Sequence, residues 1–351
     1  MSLVRQDLAA LPAYVPGRSL PGAIKLASNE VPYGPLPGVV EAITEAAANS
    51  HRYPDMGTVR LRDALADRYR VDADRVVTGC GSVALAEHLA KATCLGPDDE
   101  ILYSWRSFEA YPIIAAVSGA TSVRVPNLPD HGHDLPAMAA AVTPRTRMIL
   151  VCNPNNPTGT ALRRAELDAF LDAVPETTLV VIDEAYREFI TDPEVPDGIQ
   201  TYADRPNVVV LRTLSKAWGL AGARVGFLVA QPAVAEAVRK VLTPFSTSAL
   251  AQAAALAALA AADEVERRTA LVRAERERVL PAVRKLVSEV PETQANFFWL
   301  PLGDRSAAFG AACEERGVVV RPFQGDGVRV TLGTPEENDA FLAAAEAAFA
   351  L

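Results

Sequence analysis

The sequence predicts an α/β fold, with a large domain built on a mainly parallel sheet and a smaller α+β C-terminal domain. Three observations predict it. Between about residues 75 and 213, short β-branched runs alternate with longer helical stretches, the pattern of strands joined by helical crossovers. Several of these runs are apolar throughout, as expected of strands covered on both faces. After residue 250 long helical stretches give way to short strands, which suits a separate α+β unit.

The elements follow in order. Pro12, Pro16, Pro21 and Gly22 make residues 1–30 read as an extended arm. Residues 31–250 are then the large domain and 251–351 the small one. Residues 39–48 read as a helix, and 59–69 as another, because Leu61, Leu65 and Tyr69 recur at helical spacing. Strands are expected at 75–78, 100–103, 121–125, 148–152, 179–183 and 208–211, with helices at 82–93 and about 110–117. A long helical region rich in Ala, Arg and Glu runs from 250 to about 290. Strands at 295–300, 318–321 and 328–332 and a closing helix at 337–349 complete the chain.

Composition excludes several classes. Half of the 351 residues are hydrophobic and the formal net charge is −9. That argues for a substantial core and against a protein built to bind nucleic acid or anionic lipid. The Ala-rich stretch 249–262 contains Gln252 and is too short to span a bilayer. Residues 1–17 lack a continuous apolar run, so a cytoplasmic protein is expected. Cys80, Cys94, Cys152 and Cys313 form no C-x-x-C pair. His131 and His133 lie close together but in a Pro-rich loop, so no metal is expected.

Ligands of open α/β sheets sit at the carboxyl ends of the strands, so the residues following each strand carry the chemistry. The first strand is followed by Gly79-Cys80-Gly81-Ser82-Val83-Ala84, a glycine turn opening a helix, which suits a phosphate. The turn also matches G-x-G-x-x-A. A dinucleotide site would want an acid at the end of the next strand, whereas Asp98, Asp99 and Glu100 precede it. Later strand ends carry Asn153 to Gly159, then Asp183-Glu184-Ala185-Tyr186, then Thr213-Leu214-Ser215-Lys216 with Arg224 eight residues on. Only five lysines occur in the chain. Lys216 lies among Leu214, Ala217 and Trp218, and apolar or cation-flanked surroundings keep an amine neutral enough to form a Schiff base. Ser215 and Arg224 suit the same phosphate as the glycine turn. Asp183 suits the pyridinium nitrogen of pyridoxal phosphate, and Tyr186 and Asn156 suit its phenolic oxygen. One cofactor thus accounts for all four strand ends.

Residues 152–159, 183–186 and 215–226 resemble the pyridoxal-phosphate aminotransferases of fold type I. Asn29-Glu30, residues 52–55 and residues 329–338 narrow the resemblance to the histidinol-phosphate aminotransferase family, over nearly the whole chain. The resemblance implies a fold-type-I homodimer in which Lys216 binds pyridoxal 5′-phosphate and then moves the substrate proton. It implies that Asp183 keeps the pyridine nitrogen protonated and that Tyr186 and Asn156 hold the phenolate. Gly81, Ser82, Val83, Thr213, Ser215 and Arg224 would bind the phosphate, joined by Tyr53 from the partner subunit. Phe108 would stack on the pyridine, and Arg329 would clamp the substrate α-carboxylate.

Residues 105–111, 79–83, 14–17 and 26–30 are similar to the actinobacterial aromatic (phenylalanine) aminotransferase branch. The family's glycine turn usually continues with Asp-Glu, whereas Val83-Ala84 stand here, and Val31 stands where the family often has Asn. Both departures lie on the substrate side. An aromatic donor wants apolar walls, for which Tyr14, Tyr33 and Phe108 are candidates. A phosphorylated donor wants Arg or helix amides. Arg321 fits a phosphate, a carboxylate or a surface ion pair equally. The expected activity is transfer of the amino group of an aromatic amino acid to 2-oxoglutarate. The alternatives are a histidinol-phosphate aminotransferase, a dinucleotide-dependent oxidoreductase and a non-catalytic cofactor-binding regulator.

Overall fold

A computed structural model describes residues 3–11, 13 and 17–350. The strands, in chain order, are β1 (Ile24–Lys25), β2 (Val76–Gly79), β3 (Glu100–Trp105), β4 (Thr121–Pro126), β5 (Thr146–Cys152) and β6 (Leu179–Asp183). They continue with β7 (Val208–Thr213), β8 (Gly226–Val229), β9 (Phe297–Leu300), β10 (Val318–Val319), β11 (Arg321–Phe323) and β12 (Gly327–Thr331). Seven of them form one sheet in the order β2-β8-β7-β6-β5-β3-β4. All pairings from β7 to β4 are parallel. Only β8 runs against its neighbours β7 and β2.

The apolar runs are buried on both faces, as their composition predicts. Val180, Ile182, Val208 and Val210 enter one core layer, and Val181, Val209 and Leu211 the other. Strand β8 was not expected. It is four residues long and follows the glycine-containing turns after Lys216. The chain passes from β3 outward to β4 and returns to the other side of β3 as β5. This reversal opens a crevice at the carboxyl ends of β3 and β5.

The C-terminal helical stretch is two helices, Ala249–Ala260 and Ala262–Leu286, meeting at Ala261. The expected strand at 318–321 is likewise split. Val318–Val319 pair in parallel with β1, while Arg321–Phe323 pair with β12, which also pairs with β9. The arm is therefore tied to the C-terminal region. Leu26 N–H donates to Val319 O at 2.8 Å, and Thr331 N–H donates to Leu26 O at 2.9 Å. Helix Val39–Ala47 packs against Ala249–Ala260. Among the described residues no helix is long and apolar enough to cross a membrane.

Candidate functional site

A cavity of about 400 Å³ opens at the carboxyl ends of the parallel strands. Its lining joins residues from five of the predicted strand ends: Ser82 and Val83, Phe108, Asn156, Asp183 and Tyr186, and Thr213, Ser215, Lys216 and Arg224. Arg329 reaches it from the small sheet.

One end is a cradle for an anion. Gly81 has a φ of +82° and precedes helix Ser82–Thr93. The positive φ favours glycine at this turn, and a Cβ at Gly81 would push the Arg224 guanidinium aside. Arg224 donates to Ser215 Oγ at 3.1 Å, and Ser215 N–H donates to Thr213 Oγ1 at 3.1 Å. A helix start, a guanidinium and two hydroxyls thus face one space, which suits a phosphate.

The middle of the cavity holds an amine and a carboxylate. Lys216 is half-buried, and its Nζ donates to Ser28 O at 3.0 Å. Burial first, and then the charge of Arg329, push its pKa down to about 7. Asp183 ends β6 and is buried. Tyr111 Oη donates to its Oδ2 at 3.0 Å, while Oδ1 is buried with no hydrogen-bond partner. Burial raises the Asp183 pKa to about 6, against the opposing pull of the Tyr111 bond. An unmatched buried carboxylate oxygen facing a ligand space calls for a donor from the ligand. The arrangement suits a group with a phosphate at one end, a carbonyl within reach of Lys216 and a protonated nitrogen at Asp183.

The roof comes from sequence-distant segments. Arg329 donates to Asn156 Oδ1 at 2.6 Å and to Ala27 O at 2.7 Å. Asn29 is the hub: its Nδ2 donates to Tyr186 Oη at 3.0 Å, and its Oδ1 accepts from Thr331 Oγ1 at 2.9 Å. Its own carbonyl accepts from Asn296 Nδ2 at 3.1 Å. Sequence reading matched Asn29 to a motif but gave it no task. Its φ of +55°, a region Asn tolerates better than most residues, was not visible in the motif. Tyr111 was also missed, because a buried tyrosine on a helix reads as core.

The remaining candidates fall elsewhere. Tyr14 lies outside the described residues. Tyr33 is half-buried with its ring beside Arg268, at 5.7 Å, and is not among the residues that line the cavity of its own chain. Its neighbour Arg268 bonds the carbonyls of Gly34 and Pro35, which holds this turn against helix Ala262–Leu286. Tyr53 is 82 % exposed and stacks on Phe245 at 4.5 Å, away from the cavity of its own chain. His133 is buried with Nε2 against Cys152 O at 2.8 Å, so it braces the end of β5.

The aminotransferase class I and II family matches residues 21–344. An aromatic amino acid aminotransferase of Streptomyces avermitilis is 57% identical over 347 residues, covering 98% of this chain and 96% of that protein. The protein of the same name from Rhodococcus jostii is 58% identical over 339 residues, covering 97% and 94%. Among solved structures, a histidinol-phosphate aminotransferase from Sinorhizobium meliloti in complex with pyridoxal-5′-phosphate superposes with a TM-score of 0.88. It is 28% identical, and the match covers 100% of this chain and 98% of that one.

Proposed function

The chain belongs to the class I and II aminotransferases, and from that premise we propose that it moves the amino group of aromatic amino acids to 2-oxoglutarate. The proposed cofactor is pyridoxal 5′-phosphate, the mechanism ping-pong and the active unit a homodimer.

The residues present fit this cofactor. The unmatched Asp183 Oδ1 is the observation that carries the fit, since a protonated pyridine nitrogen is the donor it lacks. Lys216 would attach the cofactor, and Gly81, Ser82, Val83, Thr213, Ser215 and Arg224 would hold its phosphate. Tyr53 of a second copy would add to them. Asn156 and Tyr186 would hold its phenolic oxygen, and Phe108 would cover the ring. When bound, the cofactor supplies an electron sink for negative charge developing at the substrate α-carbon.

The chain's own residues do the rest. Arg329, fixed by Asn156 and Ala27, presents its guanidinium to the substrate α-carboxylate. That sets the α-carbon beside Lys216. With a pKa near 7, Lys216 Nζ is partly neutral at neutral pH and is poised to take the α-proton and return it. Asp183 stays ionised above about pH 6 and keeps its nitrogen partner positively charged.

The aromatic preference is supported by the names of the relatives and by the cavity wall. Besides Phe108, the cavity is lined by Val83, Ile113, Ile114 and Val117, apolar surface that suits a ring. The test is a half-reaction. Purified holoenzyme is mixed separately with phenylalanine and with histidinol phosphate, and the absorbance of the lysine-bound cofactor is followed. Rapid loss with phenylalanine and little with histidinol phosphate is expected; the reverse places the chain in histidine biosynthesis.

A further inference from the structure

Four cations line the cavity among the described residues: Lys216, Arg224, Arg321 and Arg329. The first, second and fourth have tasks above. Arg321 does not. It stands directly opposite Arg329 in the β11–β12 ladder, and residues paired this way present their side chains on the same face. The guanidinium lies over the Phe323 ring at 5.3 Å, and the side chain is only 12% exposed. An arginine that lines the same cavity as Val83, Ile113, Ile114 and Val117 is an anion receptor in a site meant for rings.

The receptor is already matched. Arg321 Nη2 donates to Glu109 Oε2 at 2.9 Å, and Glu109 also lines the cavity. Glu109 sits at the start of helix Ala110–Ser118, but its side chain makes no capping bond there. The carboxylate is thus turned toward Arg321 rather than toward its helix. Of the cavity's two other acids, Glu87 is paired with Lys91 at 2.6 Å on its own helix and Asp183 accepts from Tyr111, so Glu109 is the carboxylate that neutralises Arg321. Partly buried pairs of this kind are screened less than surface ones.

We infer that Glu109 is a specificity-determining residue: it occupies Arg321 and so reserves the side-chain lobe for uncharged rings. A donor bearing an anionic group on its side chain must displace the Glu109 carboxylate, and the displaced charge then stands beside the incoming one. An uncharged ring meets a neutral pair and apolar walls. The inference rests on the aromatic reading above, and it accounts for how a cavity carrying four cations accepts phenylalanine.

The test compares phenylalanine with 4-carboxyphenylalanine. The two share the α-amino and α-carboxylate groups and differ by a charge on the far side of the ring. In the holoenzyme, kcat/KM for the carboxylated donor should be far below that for phenylalanine. Glu109→Gln should raise kcat/KM for 4-carboxyphenylalanine in absolute terms, by about tenfold or more, an increase that damage to the fold does not produce. Glu109→Asp, which keeps the charge, should keep the discrimination. Adding Arg321→Gln to Glu109→Gln should abolish the gain. Should Glu109→Gln fold poorly, Arg321→Gln alone tests the same point: it should leave 4-carboxyphenylalanine no better a donor than in the wild type. No gain in Glu109→Gln, or a gain that survives loss of Arg321, overturns the inference. Failure of the aromatic reading looks different, because the wild-type enzyme would then not be reduced by phenylalanine at all.

Discussion

The floor and the roof of the cavity are built in opposite ways. The floor is made of strand ends of one sheet: Asp183 closes β6, Thr213 closes β7, and Ser215 and Lys216 follow at once. Its anion-facing side chains are fixed at short range, with Ser215 bonded to Thr213 two residues away and Arg224 to Ser215 nine away, while Asp183 and Lys216 are placed by their strand ends and add bonds to Tyr111 and Ser28. The roof is drawn together from the arm, the small sheet and the turn after β5. Its bonds span the chain, such as Arg329 to Ala27 and Thr331 to Asn29, each 302 residues apart in sequence. A rigid floor can place the reacting atoms for any donor, and a separately assembled roof can be altered to choose among donors.

That division predicts two kinds of variant. Floor substitutions should cut turnover for every donor alike, whereas roof substitutions should act on affinity and choice. The largest effect is expected for Lys216→Ala. Loss of the amine removes both cofactor attachment and the proton carrier, so kcat should fall about 10³-fold or more. Absorbance of the washed protein should show no lysine-bound cofactor. Full activity in this variant would overturn the mechanism. Asp183→Asn comes next. The neutral amide cannot hold a positive nitrogen, and kcat should fall about 10²-fold with phenylalanine and with any other accepted donor. A loss confined to one donor would contradict the assignment of Asp183 to the floor.

Arg329→Lys probes the roof. Lysine keeps the charge but not the two-pronged geometry, so KM for phenylalanine should rise about tenfold to a hundredfold. Steady-state kinetics should show a smaller change in kcat; a fall in kcat with unchanged KM would move Arg329 to the floor. Asn29→Gly tests the hub without forcing a new residue into positive φ. It removes the donor to Tyr186 Oη and the acceptor of the Thr331 hydroxyl, while the bond from the residue-29 N–H to Thr331 Oγ1 stays. The cost should be about 1–3 kcal/mol in denaturant unfolding. If stability is unchanged, the roof is not held through Asn29.

The same division decides what the sequence disclosed. Residues 183–186 and 213–216 each lie within one strand end, so their chemistry could be read in a few consecutive letters, and the apolar runs that bury β5 to β7 pointed the same way. Roof contacts could not be read that way. Arg321 looked equally suited to a phosphate, a carboxylate or a surface pair, because its partner Glu109 is 212 residues away. Tyr33 was a candidate for the substrate wall because it is aromatic near the arm, and its contact with the sequence-distant Arg268 was not legible there. Strand β8 escaped because four residues carry too little periodicity, and antiparallel insertion depends on neighbours that a local stretch of sequence does not reveal.

The smallest expected effect concerns the charge placed in the floor itself. The Lys216 pKa is about 7 in the cofactor-free fold, against about 10.4 in an unfolded chain. Between those values the unfolded state binds more protons, so stability should rise with pH across this window. Below about pH 7 the folded protein must carry a half-buried ammonium, and the cost is then fully present. Asp183 does not obscure this. Its pKa is raised to about 6, so its own contribution falls as pH rises from about 3.9 to 6 and is constant above. Lys216→Met removes the ammonium and keeps an apolar side chain of similar length. Cofactor-free wild type and Lys216→Met should therefore differ most at pH 6 and least at pH 9. Allowing for water in the cavity, the change in that difference is on the order of 1–2 kcal/mol. Paired thermal melts at the two pH values read it directly. A gap independent of pH would mean that the floor solvates Lys216 fully, and its readiness to take a proton near neutrality would then have to come from the bound cofactor alone.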